Sequence, residues 1–278
     1  MALVPSASLV VAAPREALAG ACNYAVLMAR RVGGGTFAGA YVFPGGVVDA
    51  EDGPPADAPA RCAVRETYEE TGLLLTTPPA SGAVPPRGGP FGALCARHGI
   101  APLRPRPLAR WITPRAQKRR FDTRFLLLAI RDDDRFLLGQ LGSARAQPAE
   151  LTQLRWLAPD EALGANARGE LPLLPPQAYI LHQLSRCRRW QDLPAALPPL
   201  ADAERPVEPL LCRRSDGAAV ALLPGDRAYG TADPDDASLF CADRAAPRLH
   251  RLELAPAAGG GFHAATLLRT APCARPQL

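Results

Sequence analysis

Lysine is almost missing from this chain: Lys118 is the only one among 32 basic residues, so its positive charge is carried by arginine. The arginines are dispersed and form no basic tract, which argues against a nucleic-acid surface despite the net charge of +5. With 31 prolines and abundant alanine, this bias reads as a GC-rich genome. Guanidinium groups still suit forked recognition of phosphate. Long apolar runs are also lacking. The stretch Phe125–Ile130 falls far short of the roughly 20 residues that a membrane helix requires, so no membrane partner is expected. The seven cysteines, at 22, 62, 95, 187, 212, 241 and 273, include no C-x-x-C pair, which excludes a zinc ribbon or a disulfide framework and reads as reduced packing residues.

Other catalytic signatures are absent as well. His98, His182, His250 and His263 never fall at H-x3-H spacing, so a histidine metal centre is not expected. Ser81, Ser143 and Ser185 lack a G-x-S-x-G setting. No Gly-Lys-Ser/Thr follows Gly33-Gly-Gly-Thr36, which reads as a hairpin turn and not a phosphate loop. No basic residue precedes the apolar stretch Ser8–Ala13, so it reads as a first strand and not a signal peptide, and a cytoplasmic location is expected.

What is present is ordinary globular composition, 47% hydrophobic and 21% charged, which excludes wholesale disorder. Short apolar runs at 7–13 and 22–31 and the segment Tyr41–Gly46 read as strands. Arg61 to Leu73 has helical spacing and ends at Gly72, where a helix C-terminus favours glycine. Residues 76–90 are too rich in proline and glycine for regular structure and read as an exposed insertion. Strands are expected at 107–112 and 121–130, and helices from Pro159 and from Pro175 to about Trp190. Leu193–Pro209 reads as a linker, and two hairpin patterns follow, flanking Ser215-Asp-Gly217 and Gly259-Gly-Gly261. The expected organisation is an α/β domain over 1–200 and a small β-rich extension over 205–278.

The informative segment is Gly45-Gly46 followed by Arg65-Glu66-Thr67-Tyr68-Glu69-Glu70-Thr71-Gly72-Leu73. On a helix, Glu66, Glu69 and Glu70 fall within an arc of roughly 100°, because positions i, i+3 and i+4 share a face. Three mutually repelling carboxylates there suit a hard, oxygen-seeking divalent cation, Mg2+ or Mn2+, that also bridges phosphate oxygens. Arg65, one turn before Glu69, can pair with it and hold its orientation.

This run resembles the Nudix box, G-x5-E-x7-R-E-U-x-E-E-x-G-U, with U aliphatic. The resemblance implies an α/β/α sandwich and hydrolysis of a nucleoside diphosphate linked to another group. It casts Glu66, Glu69 and Glu70 as metal-binding glutamates, with Glu66 and Glu69 in the catalytic set, and Arg65 as the structural arginine. Gly46 matches the first glycine, and Gly45 stands with it against the substrate. The separation from Gly46 to Arg65 exceeds the standard one, and the position that the x7 spacer assigns to the first acid holds Asp57, to which no catalytic role is given.

The segments Gly39–Gly46, Trp111–Pro114, Arg119–Phe125 and Trp156–Ala162 resemble the larger Nudix branch that includes peroxisomal acyl-CoA diphosphatases. G-x3-F-P-G-G also agrees with the signature of coenzyme A pyrophosphatases, although the arginine expected four residues before Gly39 is Gly35. Arg30 or Arg31 stands for the earlier arginine of that signature. The resemblance places Arg119, Arg120 and Arg124 beside the substrate cleft, where they bind phosphate; pairing with Asp122 or plain solvation stays open as the other reading. Glu150 falls where many Nudix enzymes carry an additional loop glutamate. The implied substrate is CoA or acyl-CoA, cleaved to adenosine 3′,5′-bisphosphate and (acyl-)phosphopantetheine. The alternatives are hydrolysis of NADH, ADP-ribose or another nucleoside diphosphate derivative, and a non-catalytic nucleotide sensor. Covering the pantetheine arm, forming a homodimer interface and stabilising the fold all remain open roles for the extension.

Overall fold

A computed structural model describes residues 2–16, 22–32, 39–196, 198, 200–213, 219–230, 249–256 and 262–270. The strands are β1 (Val4–Pro14), β2 (Tyr24–Arg31), β3 (Tyr41–Val42), β4 (Gly45–Val47), β5 (Arg106–Ile112), β6 (Phe121–Ala129), β7 (Leu151–Leu157), β8 (Pro206–Val207), β9 (Leu210–Arg213), β10 (Ala219–Leu222), β11 (Leu249–Pro256) and β12 (Phe262–Thr270). The helices are α1 (Ala58–Thr71), α2 (Phe91–His98), α3 (Arg135–Leu138), α4 (Pro159–Ala167), α5 (Pro175–Leu184), α6 (Leu193–Ala196) and α7 (Leu200–Ala203).

β1 organises the main sheet because its apolar run is buried on both faces, as expected of a central strand. Its N-terminal half pairs with β4 and its C-terminal half with β2, both antiparallel, while β6 runs parallel beside it from Val4↔Phe121 to Ala12↔Ala129. The sheet order is β3-β2-β1-β6-β5-β8, with β4 on β1 and β7 on β2. Alternation along the strands then separates two cores. Leu9, Val11, Leu27 and Leu126 pack against Cys62, Val64 and Tyr68 of α1 and Phe91 of α2. Val10, Met28, Phe125 and Leu127 pack against Ala162 of α4 and Tyr179 and Leu181 of α5. The result is the α/β/α sandwich expected from the sequence.

A fourth layer covers α4 and α5: the sheet β12-β11-β10-β9, whose Ala219, Ala221, Leu252 and Leu254 join the core on that side. Tyr179 of α5 bridges the layers, with its ring 5.4 Å from Trp111 of β5 and 5.5 Å from His250 of β11. Within this small sheet, Arg251 makes a forked, buried pair with Asp226, at 2.8 and 2.7 Å.

Several expectations need revision. The stretch read as a linker is packed: α6 and α7 lie in it, Val207 is buried, and β8 runs parallel to β5 at the edge of the main sheet. The helix expected to reach Trp190 stops at Leu184, where the Cys187 amide donates to the Leu184 carbonyl in a turn. α2 and β7 fall where no element was expected. The insertion 76–90 is irregular and mostly exposed, yet its end is pinned, since the Gly88 amide donates to the Tyr68 hydroxyl at 3.3 Å and Pro85 is buried. Gly33–Gly35, Ser215–Gly217 and Gly259–Gly261, read as turns, lie outside the described residues, as do Cys241 and Cys273; the five described cysteines are free thiols. Among the described residues no helix is long and apolar enough to cross a membrane.

Because Leu252 is fully buried in the core shared with α5, Leu252→Ala should destabilise the whole chain by about 2–5 kcal/mol. Chemical denaturation followed by tryptophan fluorescence and by far-ultraviolet circular dichroism should give one coincident transition. Two separate transitions would show that the small sheet is not part of a common core.

Candidate active site

α1 carries the acid-rich face, and tertiary contacts give each acid a different environment. The helix ends at Gly72, whose left-handed backbone (φ 73°) lets its amide donate to the Tyr68 carbonyl at 2.6 Å. Arg65 is 6% exposed and has several partners. Its Nε and Nη2 donate to the two carboxylate oxygens of Asp52 at 2.9 Å each. Its Nη1 donates to Glu66 Oε1 and Glu69 Oε2, both at 2.9 Å, and Nη2 also reaches the Val47 carbonyl at 3.2 Å. The hydrogen bonds to Asp52, outweighing burial, hold the guanidinium firmly in its charged form.

Asp52 is the residue that sequence reasoning missed. It is 2% exposed and closes a short 3₁₀ turn by accepting from the Asp49 amide at 2.8 Å. It lies at the x5 spacing from Gly46, so the extra residues of the loop fall after it, between Asp52 and Arg65. Counting the spacer forward from Gly46 would have found it. Asp57, reached by counting back from Arg65, is instead half exposed at the start of α1, with Arg104 3.9 Å away.

β4 supplies the other wall. The Gly45 amide donates to Glu70 Oε2 at 3.0 Å. Gly46 lies against the Glu66 carboxylate so closely that a Cβ at that position would overlap it. The Cys62 thiol, buried beneath, donates to the Val47 carbonyl at 3.4 Å, and burial pushes its pKa up to about 12, so it stays a thiol. Burial likewise pushes Glu70 up to about 8, against the opposing effect of the Gly45 amide, with Glu66 and Glu150 adding repulsion. Glu66 is also raised, chiefly by burial. Glu69 projects to solvent, with its side chain 40% exposed.

Glu150 joins this cluster from the loop before β7. The Gln147 amide donates to the Glu70 carbonyl at 2.9 Å, the Glu150 amide to the Gln147 carbonyl at 3.1 Å, and the Glu150 charge is felt at both Glu66 and Glu70. Arg31, at the end of β2, shares the α1 side of the sheet with Leu27, and its charge opposes the rise at Glu70. The donor set is all oxygen and fits a hard cation. Among the described residues no three Asp, Glu, His or Cys side chains form a ready-made metal cluster.

The strand arginines go elsewhere. Arg120 pairs with Glu208 at 2.6 Å, and Arg124 pairs with Glu204 at 2.8 Å and lies 3.5 Å from Asp122. Asp122 is forked by Arg110 at 2.8 and 2.7 Å. Arg119 stacks over the Phe121 ring at 4.9 Å. Arg120 and Arg124 therefore tie β6 to the segment around β8. Pairing is observed for Arg120 and Arg124, with acids 88 and 80 residues downstream, whereas Arg119 has no ion pair among the described residues.

Comparison with known proteins places this geometry in context. The model of the NUDIX domain family matches residues 4–180. The human acyl-coenzyme A diphosphatase NUDT19 is 32% identical over 206 residues, covering 63% of this chain and 52% of the human protein. NUDT19 of Gallus gallus is 27% identical over 294 residues, covering 78% and 75% respectively. The putative nudix hydrolase 7 of Caenorhabditis elegans is 30% identical over 171 residues, covering 54% of this chain and 51% of the worm protein. This chain thus spans about half the length of the worm and human relatives. The crystal structure of a NUDIX hydrolase from Alicyclobacillus acidocaldarius superposes with a TM-score of 0.59 and 28% identity, covering 71% of this chain and 99% of that one. Since the family match runs through β1, β4, α1 and the loop of Glu150, and so contains the whole acid cluster, the chain belongs to the Nudix hydrolase family.

Proposed function

We propose that the chain is a divalent-cation-dependent diphosphatase that cleaves CoA or acyl-CoA to adenosine 3′,5′-bisphosphate and (acyl-)phosphopantetheine. The observation that carries the chemistry is the set of oxygen donors on one helix face, held by a buried Arg65 against the Gly45-Gly46 strand. Similarity to proteins named acyl-coenzyme A diphosphatases supports the substrate.

Glu66, Glu69 and Glu70 would hold Mg2+ or Mn2+, and the chemistry such a cation would supply is neutralisation of the diphosphate and a lowered pKa for water. The chain's own residues do the positioning. Arg65 fixes one oxygen each of Glu66 and Glu69 and leaves the other oxygens for the cation. The Gly45 amide orients the Glu70 carboxylate, while Gly46 keeps the floor flat enough for Glu66 to lie on it. Arg31, on the same side of the sheet, supplies positive charge for the diphosphate. Glu150 would accept the proton of the attacking water, a role supported by the effect of its charge on Glu66 and Glu70. Cleavage of NADH or ADP-ribose keeps the same machinery, and it is favoured by one observation: Arg120 and Arg124 are occupied by carboxylates and do not offer a pocket for a 3′-phosphate. Turnover of a panel containing CoA, dephospho-CoA, NADH and ADP-ribose, with products identified by mass spectrometry, separates the two readings.

Glu69→Gln and Glu70→Gln should each lower kcat by about a hundredfold or more with an unchanged circular dichroism spectrum, since each removes a charge that faces the cation. Retention of more than about a tenth of wild-type turnover by both would remove them from the metal site. Chelation should abolish activity, and Mg2+ or Mn2+ should restore it, while Ca2+ should support much less turnover because its longer coordination distances misplace the phosphate. Full activity in excess chelator would exclude the mechanism. Gly46→Ala should lower kcat/KM at least about tenfold, because the new methyl group displaces the Glu66 carboxylate. Wild-type kinetics for that variant would show that the contact does not position Glu66.

A further inference from the structure

The insertion 76–90 delivers a guanidinium to the edge of the acid face. Arg87 lies flat over the Cα of Gly72, so close that a Cβ on Gly72 would overlap its Nε, Cζ and Nη1. Its Nη2 donates to the Ser143 carbonyl at 2.6 Å. The placement is enforced from both sides, because the next residue, Gly88, is tied to the Tyr68 hydroxyl and the ring of Tyr68 packs 5.5 Å from Phe91 of α2. Gly72 follows Glu69 by three residues and neighbours it on the helix surface. Arg87 therefore sits about one turn beyond the most exposed of the acids.

A second arginine approaches the same segment. Arg145 donates from Nη1 to the carbonyls of Gly142 and Ala144, at 2.9 and 2.7 Å, and its amide donates to the Thr71 carbonyl at 3.0 Å. Both side chains are exposed, and both donate to backbone carbonyls of residues 142–144. Among the described residues neither has a carboxylate within ion-pair distance, in contrast to Arg110, Arg120 and Arg124. Two oriented forks whose charge no acid neutralises are suited to receive a dianionic phosphate. The loop that carries Arg145 continues directly to Gln147 and Glu150, so this pair and the acid cluster share one frame.

We propose that Arg87 and Arg145 form an anion subsite for a phosphate monoester on the nucleoside sugar, remote from the diphosphate that is cut. This rests on the reading of the chain as a diphosphatase of a nucleoside diphosphate derivative. It also moves selection for such a sugar phosphate from the arginines of β6 to the insertion and the loop after α3.

The test uses two independent readouts. Calorimetric titration of the full chain compares adenosine 3′,5′-bisphosphate with adenosine 5′-monophosphate, and kinetics compare CoA with dephospho-CoA. Wild type should prefer the phosphorylated member of each pair. The double variant Arg87→Ala/Arg145→Ala should lose about tenfold or more of that preference in both readouts, and Arg87→Lys should lose an intermediate part, because an ammonium cannot reproduce the fork. If the preference survives in the double variant while Tm falls, the arginines only cap the end of α1, and the proposal is overturned. It is equally overturned if wild type binds the two adenosine nucleotides with equal affinity. An arginine-dependent preference for adenosine 3′,5′-bisphosphate without turnover of CoA or dephospho-CoA would support the subsite and reject the diphosphatase reading on CoA, so the two failures stay distinct.

Discussion

The buried guanidinium of Arg65 is the interaction on which the site depends. Asp52 neutralises it with two parallel hydrogen bonds, and the remaining donors are spent on Glu66, Glu69 and the Val47 carbonyl. One cation thereby joins the 3₁₀ turn, β4 and two turns of α1, three segments that loops separate in the chain. Such a pair gains little stability over a well-packed apolar substitute, but removal of one partner strands a buried charge at a cost of about 3–5 kcal/mol. What the arrangement supplies is orientation: one oxygen each of Glu66 and Glu69 is held by Arg65, and one of Glu70 by the Gly45 amide.

Against that fixed point, the glutamates are graded by burial. Glu70 is sealed against the Gly45 amide, Glu66 lies over Gly46, and Glu69 reaches solvent. Burial penalises the ionised form and outweighs the opposing effect of Arg65 on Glu66 and of the Gly45 amide and Arg31 on Glu70, which is why both carboxyls are raised. A divalent cation would offset that penalty, so the strain in the protein alone is of the kind that metal binding relieves. The two glycines matter because any side chain on Gly46 would push the acid off the strand.

The C-terminal segment is built into the fold and not appended to it. β8 extends the main sheet, Glu204 and Glu208 neutralise arginines of β6, and the small sheet closes over α4 and α5 through Leu252, Leu254 and Tyr179. Those ion pairs are partly exposed and individually contribute little. Their consequence is chemical: they occupy Arg120 and Arg124 with carboxylates.

How much of this could be read in advance depends on the distance over which each feature is encoded. The acid face needed only the repeat of one helix, so Glu66, Glu69, Glu70 and Arg65 were legible from the run Arg65–Leu73 and its spacing. β1 and β6 were legible from apolar runs, and the two faces of β6 from simple alternation. α2 was hidden because a two-turn helix after Gly-Gly-Pro shows too few periods, and β7 because Leu151–Leu157 mixes polar and apolar residues without a clean alternation. Asp52 stayed hidden because the loop to Arg65 is longer than the motif allows, so counting back from Arg65 reaches Asp57 and counting forward from Gly46 reaches Asp52; the folded turn shows that Asp52 is the acid that faces the arginine. Side-chain partners across the chain were beyond local pattern altogether: a guanidinium on β6 carries no mark that distinguishes a phosphate ligand from Glu204 or Glu208 some 80 residues away. The sequence by itself determined the acid-bearing helix, because helical geometry converts spacing into a shared face. Tertiary structure alone decided which arginines remain free, because charge pairing is set by three-dimensional proximity.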